Sequence, residues 1–182
     1  MMIPEKLQEI MKKDGVVAIA TLGPDGPHMV NTWNSYLRIS QDERLFIPAG
    51  YMHKTEAHTM IPEKLKEIMK KDGVVAIATL GLDGPHMVNT WNSYLRISQD
   101  ERLFIPAGYM HKTEVNIAHN PNLLITLGSS KVEGLHGTGA GFLIKGKGRF
   151  VTSGPDYDFM KEKFSWLRAT LAVTIETATQ TW

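Results

Sequence analysis

Residues 2–57 and 60–115 read almost identically. They differ only at Gln8/Lys66, Pro24/Leu82 and Ala57/Val115, and His58 and Thr59 alone separate them. Nothing after Val115 repeats. Solenoid repeats are shorter, diverge more and need three or more units to bury a core. The pattern therefore reads as a partial tandem duplication, recent or engineered. Residues 60–182 form one uninterrupted unit of ordinary domain size, and residues 1–59 are a surplus copy of its N-terminal half.

Each copy predicts a short helix and three strands. In the second copy, Pro62 suits a first helical turn, and Leu65, Ile68 and Met69 follow the i, i+3, i+4 rule for a buried stripe. The Asp72-Gly73 pair ends the helix, because glycine adopts a left-handed cap cheaply. Strands are expected over 74–80, 86–98 and 102–106, with turn signals at 83–85 and 99–101. The unrepeated tail adds a helical turn at 117–122, strands at 123–127, 141–151 and 170–178, and an amphipathic helix at 156–167. On that helix Phe159, Met160, Lys163, Phe164 and Leu167 share a face. Six strands and short helices make a mainly β fold, and a closed barrel would leave no exposed strand edge.

Composition narrows the function. Twenty Lys and Arg face nineteen Asp and Glu, which argues against a general nucleic-acid or membrane-surface binder. No cysteine is present, so disulfides and thiolate metal sites are excluded. His86, His111, His119 and His136 lack metal-ligand spacing, and no protein-based catalytic set emerges. Apolar runs are too short to span a bilayer. The charged, amphipathic start does not read as a signal peptide, so a cytoplasmic protein is expected.

The segments GVVAIATLGLDGPHMVNTWNSYLRI (73–97) and PAGYMHKTE (106–114) carry a resemblance. With 126–150 and 164–182, they resemble the small FMN-binding proteins of the pyridoxamine-phosphate-oxidase-like split-barrel superfamily. The resemblance implies a six-stranded antiparallel split barrel over 60–182 and a second half-barrel segment over 1–59. It also implies FMN near the interface of a homodimer. An unknown redox partner follows for an electron carrier. The alternative is a flavin-dependent oxidoreductase, such as a flavin reductase or an oxidase of pyridoxamine phosphate. An oligonucleotide-binding barrel stacking bases on Trp91 and Tyr94 is a third reading, and the near-neutral charge weighs against it.

Read against FMN, each motif acquires a candidate task. His111, Lys112 and Thr113, after Pro106, Ala107, Gly108 and Met110, offer a cation, a hydroxyl and backbone N–H groups to a phosphate. By residue type alone the same segment fits a solvated loop. Asn89, Thr90, Trp91, Asn92, Ser93 and Tyr94 combine hydrogen-bonding groups with two aromatics, suiting the polar edge and apolar face of a flavin. A core tryptophan with outward polar neighbours fits equally. Strand alternation puts Asn89, Trp91 and Ser93 on one face and Thr90, Asn92 and Tyr94 on the other. Ser129, with Ser130 and Lys131, could add donors. Trp166 is placed near the flavin by the resemblance, or at a dimer interface. Trp182 is either frayed or docked.

The glycine-rich stretch of Gly134, Gly137, Gly139 and Gly141 leads into a strand rather than a helix. It is therefore no dinucleotide fingerprint; a tight turn or a close approach to a ligand remains. An oxidase would need a second phosphate pocket, with Arg96, Lys131 and Arg168 as candidates. The first copy repeats the motif residues as Asn31, Thr32, Trp33, Asn34, Ser35, Tyr36, His53, Lys54 and Thr55. Because one C-terminal half cannot complete two barrels, the second copy is expected to hold a single FMN per chain. The first is expected to be an appendage or to pair or swap with another copy.

Overall fold

The structure, a computed structural model, describes residues 4–23, 26–40, 45–47 and 61–181. The first copy supplies α1 (Glu5–Met11), β1 (Val16–Gly23), β2 (Gly26–Trp33), β3 (Arg38–Ile39) and β4 (Leu45–Phe46). The second supplies α2 (Glu63–Met69), β5 (Val74–Gly81), β6 (Gly84–Trp91), β7 (Arg96–Ile97) and β8 (Leu103–Ala107). The unrepeated tail adds α3 (His111–His119), β9 (Asn122–Glu133), β10 (Thr138–Val151), α4 (Pro155–Lys163) and β11 (Ala169–Gln180).

Near-identical sequence gives matching local structure in the helix, the hairpin and the turn that follows it. Both helices are seven residues long, both hairpins pair eight residues against eight, and both end in a three-residue 3-10 turn. That turn splits the long strand expected over 86–98 into β6 and β7. Asn92 closes it: its backbone N–H donates to Gly73 O (3.0 Å), and its amide nitrogen donates to Ile68 O (3.2 Å) and Gly128 O (3.0 Å).

Tertiary structure separates the copies. In the second, β5 pairs antiparallel with β9, and a seven-stranded antiparallel sheet runs β6-β5-β9-β10-β11-β8-β7. It curls around a core to which α2, β5, β8, β9, β10 and β11 contribute Leu65, Ile77, Ile105, Ile125, Ile144 and Val173. Among the described residues the end strands β6 and β7 are joined through the 3-10 turn without pairing to each other, so hydrogen bonds do not close the sheet; it counts seven strands because the strand expected over 86–98 is split in two. In the first copy, β1–β2 and β3–β4 remain separate two-stranded sheets.

Other expectations shift locally. The helical turn sought at 117–122 begins earlier, so His111, Lys112 and Thr113 form the first turn of α3 rather than a loop. Met110 enters it in the left-handed region, at φ 55°. The last helix stops at Lys163, short of the expected Leu167, where Lys161 Nζ donates to the carbonyls of Ser165 and Leu167. Met160, Phe164 and Leu167 are buried together as expected, but Phe159 is partly exposed, with Lys163 4.8 Å from its ring centre. The glycine stretch is a β9–β10 hairpin. Gly134 N–H donates to Gly137 O (2.8 Å), and a Cβ on Gly134 would stand 2.0 Å from Gly139 O. This geometry is a tight turn. Among the described residues, no helix is long and apolar enough to cross a membrane.

The two helices form a matched pair. Leu65 is 1% exposed and Leu7 is 46% exposed in local sequences that differ only at Gln8/Lys66. Leu65→Ala is expected to cost about 2–5 kcal/mol, the range for a buried leucine, and Leu7→Ala less than about 0.5 kcal/mol. Urea unfolding followed by tryptophan fluorescence would measure both; equal losses would contradict the assignment of the core.

Candidate functional site

The segment from Pro106 to Thr113 links two groups of candidate residues. At its start, Pro106 and Ala107 end β8 with buried side chains. Gly108 then lies under the indole of Trp166, and a Cβ here would stand 3.2 Å from that ring. The absence of a side chain at Gly108 permits this contact. Tyr94 joins Trp166 at 5.5 Å between ring centres and Phe164 at 5.6 Å. Trp166 is therefore held in the turn after α4 rather than on the helix, half of it open to solvent. Together Gly108, Tyr94 and Trp166 make an aromatic shelf.

At the other end stands the first turn of α3. The N–H groups of His111, Lys112 and Thr113 precede the first helical bond, from Glu114 N–H to Met110 O (2.9 Å). Such groups and the helix dipole favour an anion. Thr113 is fully buried, and its hydroxyl has no hydrogen-bond partner among the described residues. A buried hydroxyl without a partner is costly, so a ligand that supplies one is favoured. Lys112 Nζ is 2.6 Å from both carboxylate oxygens of Asp83, in the β5–β6 turn. The hydrogen bond from Lys112 holds the Asp83 carboxyl below its ordinary range. Behind this pair, Asn116 Nδ2 donates to Thr79 Oγ1 (3.0 Å), and a Cβ on Gly81 would stand 2.2 Å from Asn116 Oδ1.

The NTWNSY residues divide by face. Asn89, Trp91 and Ser93 are exposed; Thr90 and Asn92 are buried and Tyr94 is half-buried. Asn92 faces inward as a clamp between α2 and β9 and sits beside buried Ser129, the neighbour of Gly128. In the first copy, Thr32 and Asn34 are buried, Asn31 and Trp33 are half-buried, and Ser35 and Tyr36 are exposed. Trp182, His53, Lys54 and Thr55 lie outside the described residues.

The arginine and lysine candidates for a second phosphate are each engaged by separate partners. Arg96 donates to Ser93 O and Leu95 O and lies over the Phe164 ring. Lys131 pairs with Asp72, and Arg168 with Glu114 and Tyr109 O. A shallow groove between the β7–β8 turn and α4 contains another arginine, Arg102. Its guanidinium is already engaged by Asp100 and Asp156. No group of three or more His, Asp or Glu able to hold a metal occurs among the described residues. Sequence reading missed Asp83, Phe164 and Asn116 as neighbours of the candidate residues. Asp83 lies 29 positions from Lys112, a separation that no periodicity connects.

Residues 61–181 match the family described as pyridoxamine 5'-phosphate oxidase. The chain belongs to that family. It is 51% identical over 122 residues to a protein named FMN-binding protein from Nitratidesulfovibrio vulgaris (strain Miyazaki F), covering 67% of this chain and 99% of the relative. Solved structures share the fold. Group A Streptococcus HupZ matches with a TM-score of 0.54 at 17% identity, over 66% of this chain and 94% of that one. An FMN-binding protein from Syntrophomonas wolfei matches with 0.52 at 12%, over 66% and 85%.

The Arg102 cluster makes a pH prediction. Hydrogen bonds from Arg102, then from Ser98, pull the Asp100 carboxyl down to about 2. A depressed carboxylate stabilises the fold above its unfolded value of about 3.9, and that contribution is lost as pH falls towards 2. Carboxyl NMR titration should find the low midpoint, and Arg102→Gln should return it towards the ordinary value. An unchanged midpoint in that variant would remove Arg102 as the cause.

Proposed function

We propose that this chain binds FMN non-covalently and acts as a small flavoprotein electron carrier. In this reading residues 60–182 are the flavin domain and residues 1–59 are a duplicated N-terminal half. The observation that carries it is the Pro106–Thr113 segment, with an aromatic shelf at one end and a cationic helix start at the other. Lys112 lies four positions after Gly108, a reach of at most about 14 Å, so one elongated ligand can meet both. The name of the 51% identical relative supports FMN as that ligand.

The residues suit the three parts of FMN. Lys112, the Thr113 hydroxyl and the α3 N–H groups would take the phosphate, with His111 beside them. Tyr94 and Trp166 would flank the flavin ring, with Gly108 leaving room for the shelf. Asn89, Thr90, Trp91, Ser93 and Ser129 are proposed for its polar edge and surroundings, and Asn92 as the clamp that sets their strand. When bound, the flavin supplies the redox chemistry, and the protein sets its potential and exposure. The separate engagement of Arg96, Lys131 and Arg168 favours the carrier over an oxidase that must grip a second phosphate.

Fluorescence titration with FMN tests the assignment, and absorbance titration should find one tight site per chain. Lys112→Ala is expected to weaken binding about 10- to 100-fold, the equivalent of about 1.5–3 kcal/mol for a hydrogen bond to a charged group. Asp83→Asn should tighten it, because the lysine no longer has a competing carboxylate. Unchanged affinity in Lys112→Ala would remove the phosphate site from α3. Steady turnover of pyridoxamine phosphate would replace the carrier role with an oxidase.

A further inference from the structure

The same hairpin sequence occurs in two different surroundings. On β2, Met29 is completely buried against Ala76, Ala78 and Leu124, with Ala18 and Leu143 at the edge of the cluster. The Thr126 hydroxyl donates to Met29 Sδ (3.3 Å), and Asn31 Nδ2 donates to Leu127 O (3.3 Å). Val16 reaches the backbone at Gly128; a Cβ there would stand 3.4 Å from its Cγ2. The outer face of β1–β2 is thus seated on the outer face of β5 and β9. On β6, Met87 is 41% exposed, Trp91 is 53% exposed and Asn89 is exposed.

The contact has the form of half a twofold interface. In β5–β6, Ala76 pairs with Asn89 and Ala78 with Met87. Cross-strand partners point to the same side of a sheet, so the face that receives Met29 continues into Met87. Ala18 and its counterpart Ala76 meet in one cluster, as equivalent residues do across an isologous contact. The symmetry then fails for a definite reason. Met29 rests on β9, but the unrepeated tail occurs once, so the first copy has no β9 on which Met87 could rest. A second chain does have one.

We propose that the β1–β2 hairpin is an internal stand-in for a second copy of this chain, occupying in cis the β5–β9 face on which another chain's β5–β6 hairpin would dock. Tethering gives the internal hairpin an effective concentration of order millimolar, which outcompetes a second chain at micromolar concentration. The full chain is then a monomer, and release of β1–β2 makes it a dimer. This proposal rests on the packing of β1–β2 and not on the flavin reading, although Asn89 and Trp91, on the β6 face that would dock, are also proposed to surround the flavin.

Sedimentation velocity on the full chain at about 10 μM tests it. The native sequence should sediment with the mass of one chain. Met29→Lys, which puts a charge into the seated face, should double that mass. Met29→Lys with Met87→Lys should restore one chain, because the incoming hairpin now carries the same defect. A native dimer, or a folded Met29→Lys chain that stays single, would overturn the proposal. A second measurement needs no substitution. Peroxide should oxidise Met87 at least about tenfold faster than Met29 in the native chain, and equal rates would overturn it as well.

Discussion

The five cross-strand pairs from Val75–Leu127 to Thr79–Leu123 join β5 to β9. Most other features of the fold depend on that junction. It turns the second-copy hairpin into part of a seven-stranded sheet, gives α2 a core to cover, and places Gly128 where Asn92 can reach its carbonyl. A strand has two edges, and the edges of β9 go to β5 and β10. The first-copy hairpin therefore meets β9 through a face rather than an edge. Two near-identical segments consequently occupy unequal positions, because β9 has an edge for only one of them.

Much of this was legible from sequence where information is local. The helices, the hairpins, the face alternation along β6 and the turn at Gly134 follow from periodicity, glycine and short-range pairing. The break at Asn92–Tyr94 was not legible, because it depends on an asparagine side chain reaching Ile68 O and Gly128 O from 24 and 36 positions away. The helical state of His111–Thr113 was hidden for a related reason. The polar stretch HKTE reads as a loop until Thr113, Asn116 and Ile117 are found buried on one side of α3. Barrel closure was expected from the cost of exposed edges, yet the chain joins its two end strands through a turn and leaves them unpaired.

The candidate site shows the same division. Residue types pointed to Lys112, Tyr94 and Trp166 individually. Sequence could not reveal that Trp166 rests on Gly108, which brings an aromatic surface to the chain segment that also begins α3. Nor could it reveal that Lys112 is already held by Asp83. The buried, unpartnered hydroxyl of Thr113 is likewise a property of packing.

The repeat also has a practical consequence for spectroscopy. Met29 and Met87 share their flanking residues and their secondary structure but not their surroundings. Any difference in methyl resonance between the members of such a pair isolates the tertiary contribution, because the local contribution cancels. The chain thus contains an internal reference for separating what a neighbouring sequence imposes on a side chain from what the folded environment imposes.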